Sequence, residues 1–89
     1  MNSETNSEKL NCAPGFELIE GDIGGRGPLG YLENVHTSEE CAMWCLSKAR
    51  CLSYEWSPGR KACNLNDKSN PNRPQYRDFR FCQMMTYDD

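Results

Sequence analysis

Six cysteines stand at Cys12, Cys41, Cys45, Cys51, Cys63 and Cys82, three of them inside one eleven-residue window. Thiols in such numbers serve zinc binding, redox exchange or structural disulfides. Zinc knuckles use Cys-x2-Cys pairs or histidines at short spacing; the chain has neither, and its one histidine is His36. Thiol redox catalysis favours Cys-x-x-Cys, which is also missing. An even count at this density in 89 residues reads as a disulfide framework. Disulfides form in oxidising compartments, so the sequence predicts a secreted, extracellular protein. With the thiols consumed, no Cys–His nucleophile pair is expected.

Other routes to catalysis have little support. The run Gly24-Gly25-Arg26-Gly27-Pro28-Leu29-Gly30 lacks the Gly-Lys-Ser/Thr ending and following helix of a phosphate loop, so it reads as a flexible connection. Glu55, Asp67 and Asp78 are scattered carboxylates with no evident pair. Neither a metal nor a cofactor is expected, and the chain reads as non-enzymatic. The formal net charge is −3, with residues 1–48 acidic and residues 49–82 basic. That balance, without a reading element, argues against a nucleic-acid partner. No stretch approaches the roughly 20 apolar residues of a membrane helix, so membrane insertion is not expected.

The elements that must hold such a framework are short. Only 37% of the residues are hydrophobic, which predicts one domain with a small core that needs covalent help. Residues 1–10 read as a disordered lead-in, without the apolar heart of a secretory signal. The chain therefore reads as a mature fragment or excised domain with an added Met. There is no Asn-x-Ser/Thr sequon. Phe16–Ile19 and Tyr31–Glu33 suit short strands on either side of the glycine-rich loop. Thr37 with Glu40 has capping-box spacing, which predicts a helix running to about Lys48–Arg50. Cys41 and Cys45 share one face of it. Met43, Trp44 and Leu46 make it apolar over much of its circumference, as suits a helix held against a sheet. Cys51–Trp56, a Ser57-Pro58-Gly59-Arg60 turn and Ala62–Asn66 form the clearest hairpin. Residues 67–75 are a polar loop, Tyr76–Gln83 a last strand, and residues 84–89 a tail or linker. The fold class is α+β: a small disulfide-rich domain over residues 11–83, with one helix packed on a mostly antiparallel β-sheet.

This pattern resembles the PAN/apple domain family. Thr37-Ser38-Glu39-Glu40-Cys41-Ala42-Met43-Trp44-Cys45 is similar to the family's helix. Cys51-Leu52-Ser53-Tyr54-Glu55-Trp56 and Lys61-Ala62-Cys63-Asn64-Leu65-Asn66 are similar to its next strands, and Asp78-Phe79-Arg80-Phe81 to its closing strand. Spacing alone leaves 15 pairings of six cysteines open; the resemblance implies Cys12–Cys82, Cys41–Cys63 and Cys45–Cys51. It also implies adhesion or recognition, with a glycan or an extracellular protein as partner. A lectin-like site would draw on Asn64, Asn66, Arg73, Tyr76, Arg77 and Asp78, with Tyr54 and Trp56 as stacking rings unless the core claims them. A glycosaminoglycan site would use Arg60, Lys61, Arg73, Arg77 and Arg80 as fixed cations. The alternative is a protein–protein interaction module using exposed loops.

Overall fold

The computed structural model describes residues 12–24 and 27–85; the expected lead-in and residues 86–89 of the expected tail lie outside these. In chain order the elements are β1 (Phe16–Ile19), β2 (Gly30–Glu33), α1 (Ser38–Leu46), β3 (Ser53–Ser57), β4 (Ala62–Asn66) and β5 (Arg80–Met84). The strands make one five-stranded sheet in the order β1-β5-β3-β4-β2. Every neighbouring pair is antiparallel.

The helix begins as its capping residues dictate. Thr37 Oγ1 accepts the Glu40 N–H at 3.0 Å, and Glu40 Oε1 accepts the His36 N–H at 3.1 Å. The helix is shorter than its sequence suggests. Ser47 Oγ donates to the Trp44 carbonyl at 2.6 Å and closes the last turn. The chain must then reverse, because Cys51 returns to bond Cys45. The buried stripe is Ser38, Cys41, Ala42 and Cys45, whereas Met43, Trp44 and Leu46 are 69%, 44% and 62% exposed. The large apolar residues therefore do not hold the helix to the sheet. Small side chains allow a close approach, and the Cys41–Cys63 bond fixes the helix to β4.

Strand pairing sorts side chains into two faces, because directly opposed residues point the same way. Toward the helix lie Tyr54, Trp56, Cys63, Leu65 and Cys82, in register across β3, β4 and β5. Tyr54 meets Phe16 edge-on at 4.8 Å, and Trp56 Nε1 donates to the Val35 carbonyl at 2.9 Å. Both rings belong to the core, not to a sugar platform. Cys12–Cys82 ties the segment before β1 to β5. Tyr54 is fully buried; its hydroxyl accepts the Ala13 N–H at 2.9 Å and lies 2.6 Å from Ser38 Oγ. Tyr54→Phe strands both partners in an apolar setting, which should lower the urea-unfolding free energy by about 2 kcal/mol. An unchanged midpoint would mean that water satisfies Ala13.

The other face carries Ser53, Glu55, Ser57, Asn64 and Asn66, polar yet all buried. Residues 20–24 and 27–29 lie over it from one side and the 67–79 loop from the other. Asp22 and Arg73 join the two loops through a backbone bridge, with Asp22 N–H to the Arg73 carbonyl at 2.8 Å and Arg73 N–H to the Asp22 carbonyl at 2.9 Å. Strand β5 starts at Arg80, not at Tyr76. Arg77 has φ 52°, and Asp78 accepts from Ser57 Oγ at 2.6 Å and the Gly59 N–H at 2.8 Å. Those bonds hold residues 76–79 over the end of the β3–β4 hairpin, out of the sheet.

Candidate recognition pocket

Between the two loops and the polar face of the sheet lies a cavity of about 660 Å³. Asn64 supplies its floor from β4, in register with Glu55 on one side and Tyr31 on the other. Asn64 Oδ1 accepts the Gly27 N–H at 3.1 Å, which seats the glycine-rich loop on the sheet. Asp22 and Gly24 form one wall. The opposite loop contributes Arg73, Gln75, Tyr76 and Phe79, and Arg60 reaches in from the hairpin turn. Arg73 crosses Gly24 so closely that a Cβ there would meet its Cδ and Nε at 2.6 and 2.7 Å. Glycine at position 24 is thus a condition for the position of Arg73.

Of the residues singled out in the sequence, Arg60, Asn64, Arg73 and Tyr76 come together around this cavity. Asn66 is buried outside its lining, donating to Ser53 Oγ at 3.3 Å. The remaining four stand apart from its lining. Asp78 locks the hairpin turn, and its bond from Ser57 holds its carboxyl below the usual range, helped by the Gly59 N–H and by Arg60. Arg77 stacks 5.0 Å from the Tyr76 ring centroid and covers one ring face. Lys61 turns the hairpin at φ 52°. Arg80 is in register with Trp56 and lines a smaller groove with Leu18 and Glu20. The five cations are therefore not one surface. Asp22, Tyr31, Gln75 and Phe79 were not singled out. The available signal was modest: Asp22 is an acid within the glycine-rich loop, and Glu55 alternates with Ser53 and Ser57 along one strand face.

The carboxylates are not all scattered. The Glu55 side chain is hydrogen-bonded to that of Asp22, and burial, then this bond and the Asp22 charge, push Glu55 up to about 8. The Ile23 N–H, 3.3 Å from Glu55 Oε2, and Asn66 oppose that shift. Retaining glycosidases hold two carboxyls about 5 Å apart with the sugar between them; here the two touch, and Glu55 is 2% exposed. Asp22 faces the cavity together with Arg60 and Arg73, so its lining carries both acidic and basic groups.

All six cysteines are bonded, as Cys12–Cys82, Cys41–Cys63 and Cys45–Cys51. The family model of the PAN domain matches residues 12–89. The chain belongs to the PAN domain family. Among the described residues, one helix lies across an antiparallel sheet stapled by three disulfides, the α+β architecture that its sequence resemblance implies. PAN domains are modules that bind proteins or carbohydrates. No curated protein and no solved structure matches this PAN domain. Among its described residues, no helix is long and apolar enough to cross a membrane.

Proposed function

We propose that this PAN domain is an extracellular, non-enzymatic recognition module whose cavity takes the end of a neutral glycan. The observation that carries this reading is the mixture of groups around one cavity of about 660 Å³. Asp22, Asn64 and Gln75 offer hydrogen-bond partners for hydroxyls, and Tyr31, Tyr76 and Phe79 offer apolar ring surface. Recognition sites of this kind combine apolar walls with a few placed polar groups. The acid on the wall, and the dispersal of the five expected cations, support an uncharged sugar over a sulfated chain. Arg77 is committed to Tyr76, and Arg80 lies in a separate groove.

A glycan array with matched sulfated and unsulfated sugars tests this, with the reduced and alkylated domain as control. The expected result is saturable binding of unsulfated sugars that changes little with ionic strength. Arg73→Ala and Tyr76→Ala should each weaken it about tenfold, as loss of a contact worth about 1.4 kcal/mol does. Wild-type affinity in both variants would exclude the cavity. A second reading, a protein partner, is supported by Met43, Trp44 and Leu46, exposed on the outer side of α1. On that reading Trp44→Ala abolishes co-purification of the partner and leaves the array blank.

A further inference from the structure

Glu55 is a carboxyl group in the middle of a buried strand, 2% exposed. Among the described residues, its neighbours come from the loop before β2 and from both flanking strands. Asp22 and the Ile23 N–H meet it from the loop, Asn64 and Asn66 stand on β4, and Phe81 faces it from β5. Of these groups only Asp22 is ionisable. Among the described residues the ion pair is Arg50–Asp67; Arg60 and Arg73 line the cavity without pairing to either carboxyl. Two carboxyls in contact, one of them buried and neither paired to a cation among the described residues, do not both ionise while they touch, so the closed pair holds one proton. Glu55 is the more deeply buried, at 2% against 9% for Asp22, and Asp22 is the one on the cavity wall. A protonated Glu55 has one donor and one acceptor to satisfy. Asp22 accepts from the first, and Ile23 N–H donates to the second.

The geometry points to Glu55 as a positioning residue whose proton holds Asp22 against the sheet as the acceptor for a ligand hydroxyl, and whose ionisation unseats the 20–24 wall of the cavity. The backbone bridge from Asp22 to Arg73 carries the displacement to the facing loop. The ligand half of this inference rests on the glycan reading; the proton half does not. One proton lost on opening means an affinity that falls about tenfold per pH unit above the midpoint of Glu55.

The experiment is a pH titration of the oxidised domain by NMR, following the Glu55 side-chain carboxyl carbon and the Asp22, Ile23 and Gly24 amides, with lactose as a neutral probe sugar. The expected result is a Glu55 midpoint near 8, with the three amides shifting at that same midpoint and lactose affinity falling above it. Glu55→Gln, whose amide also donates to Asp22, should abolish the loop transition and flatten the affinity profile. Asp22→Asn should move the Glu55 midpoint down, since both the bond and the charge of Asp22 raise it. A Glu55 that titrates in the ordinary carboxylate range overturns the proposal, as do amides that stay fixed through its midpoint. So does an unmoved midpoint in Asp22→Asn. A loop that titrates as expected in a domain that never binds lactose supports the proton's role and removes the neutral-sugar reading.

Discussion

Replacing Cys12 and Cys82 together by alanine should leave the domain largely unfolded at about 37 °C, as loss of a native disulfide commonly does in small secreted domains. The bond closes a loop of 70 residues in sequence separation. In the chain-entropy model such a loop contributes roughly 4 kcal/mol, a large share of the 5–15 kcal/mol of an ordinary domain. The loss does not stop at chain entropy. Cys12 precedes Ala13, whose N–H is tied to the buried Tyr54 hydroxyl, and β1 pairs with β5 immediately beyond. Freed at Cys12, that edge of the sheet can peel away and expose Tyr54 and Phe16. The comparison is Cys45→Ala with Cys51→Ala, which opens a separation of only 6 and should cost about 2 kcal/mol. Urea unfolding followed by tryptophan fluorescence ranks the two, and equal midpoints would show that Cys12–Cys82 has no special role. Non-reducing peptide mapping of the parent domain should recover all three pairs.

Stability should fall as pH rises from about 5 to 8, the reverse of what ionised surface acids produce. Glu55 has an ordinary value of 4.5 when unfolded and about 8 when folded. Below 4.5 it is protonated in both states and has no effect on the balance. Between the two values the unfolded chain releases a proton that the folded chain keeps, so each pH unit costs up to about 1.4 kcal/mol, reaching roughly 4 kcal/mol by pH 8. Above about 8 the dependence levels off. Asp78 acts oppositely, since its lowered value makes its contribution disappear on acidification through the ordinary carboxylate range. Maximum stability is therefore expected in mild acid. Glu55→Gln should remove most of the alkaline slope and make the variant the more stable protein at pH 8. Chemical denaturation at pH 5, 6, 7 and 8 measures this; parallel slopes in the two proteins would show that Glu55 does not carry the linkage.

What the sequence revealed was local. Thr37 and Glu40 cap a helix three residues apart, and the β3–β4 hairpin is encoded by its own alternation and turn. The elements read one by one already add up to a helix on a mostly antiparallel sheet, and the family likeness supplied the disulfide pairing. The cavity was not legible, because it is made by contacts distant in sequence. Asp22 meets Glu55 across 33 positions, and Arg73 is brought to Gly24 by a backbone bridge between loops with no periodicity. The last strand starts later than its alternation predicts because Asp78 is anchored to Ser57, 21 residues away, which no strand pattern announces. Met43, Trp44 and Leu46 suggested a helix buried by its large residues; the paired cysteines determine its orientation instead.

The placement of Cys12 beside Cys82 also governs how the domain responds to force. Their Cα atoms are 5.5 Å apart, and Met85 N–H bonds the Gly15 carbonyl at 2.9 Å, so the folded unit is entered and left at one point on its surface. Tension applied to the chain at those two positions passes through a covalent bond and bypasses the sheet. The helix, the loops and the cavity hang outside the load path as a pendant, so a ligand held there can be pulled without the polypeptide between the two cysteines being extended.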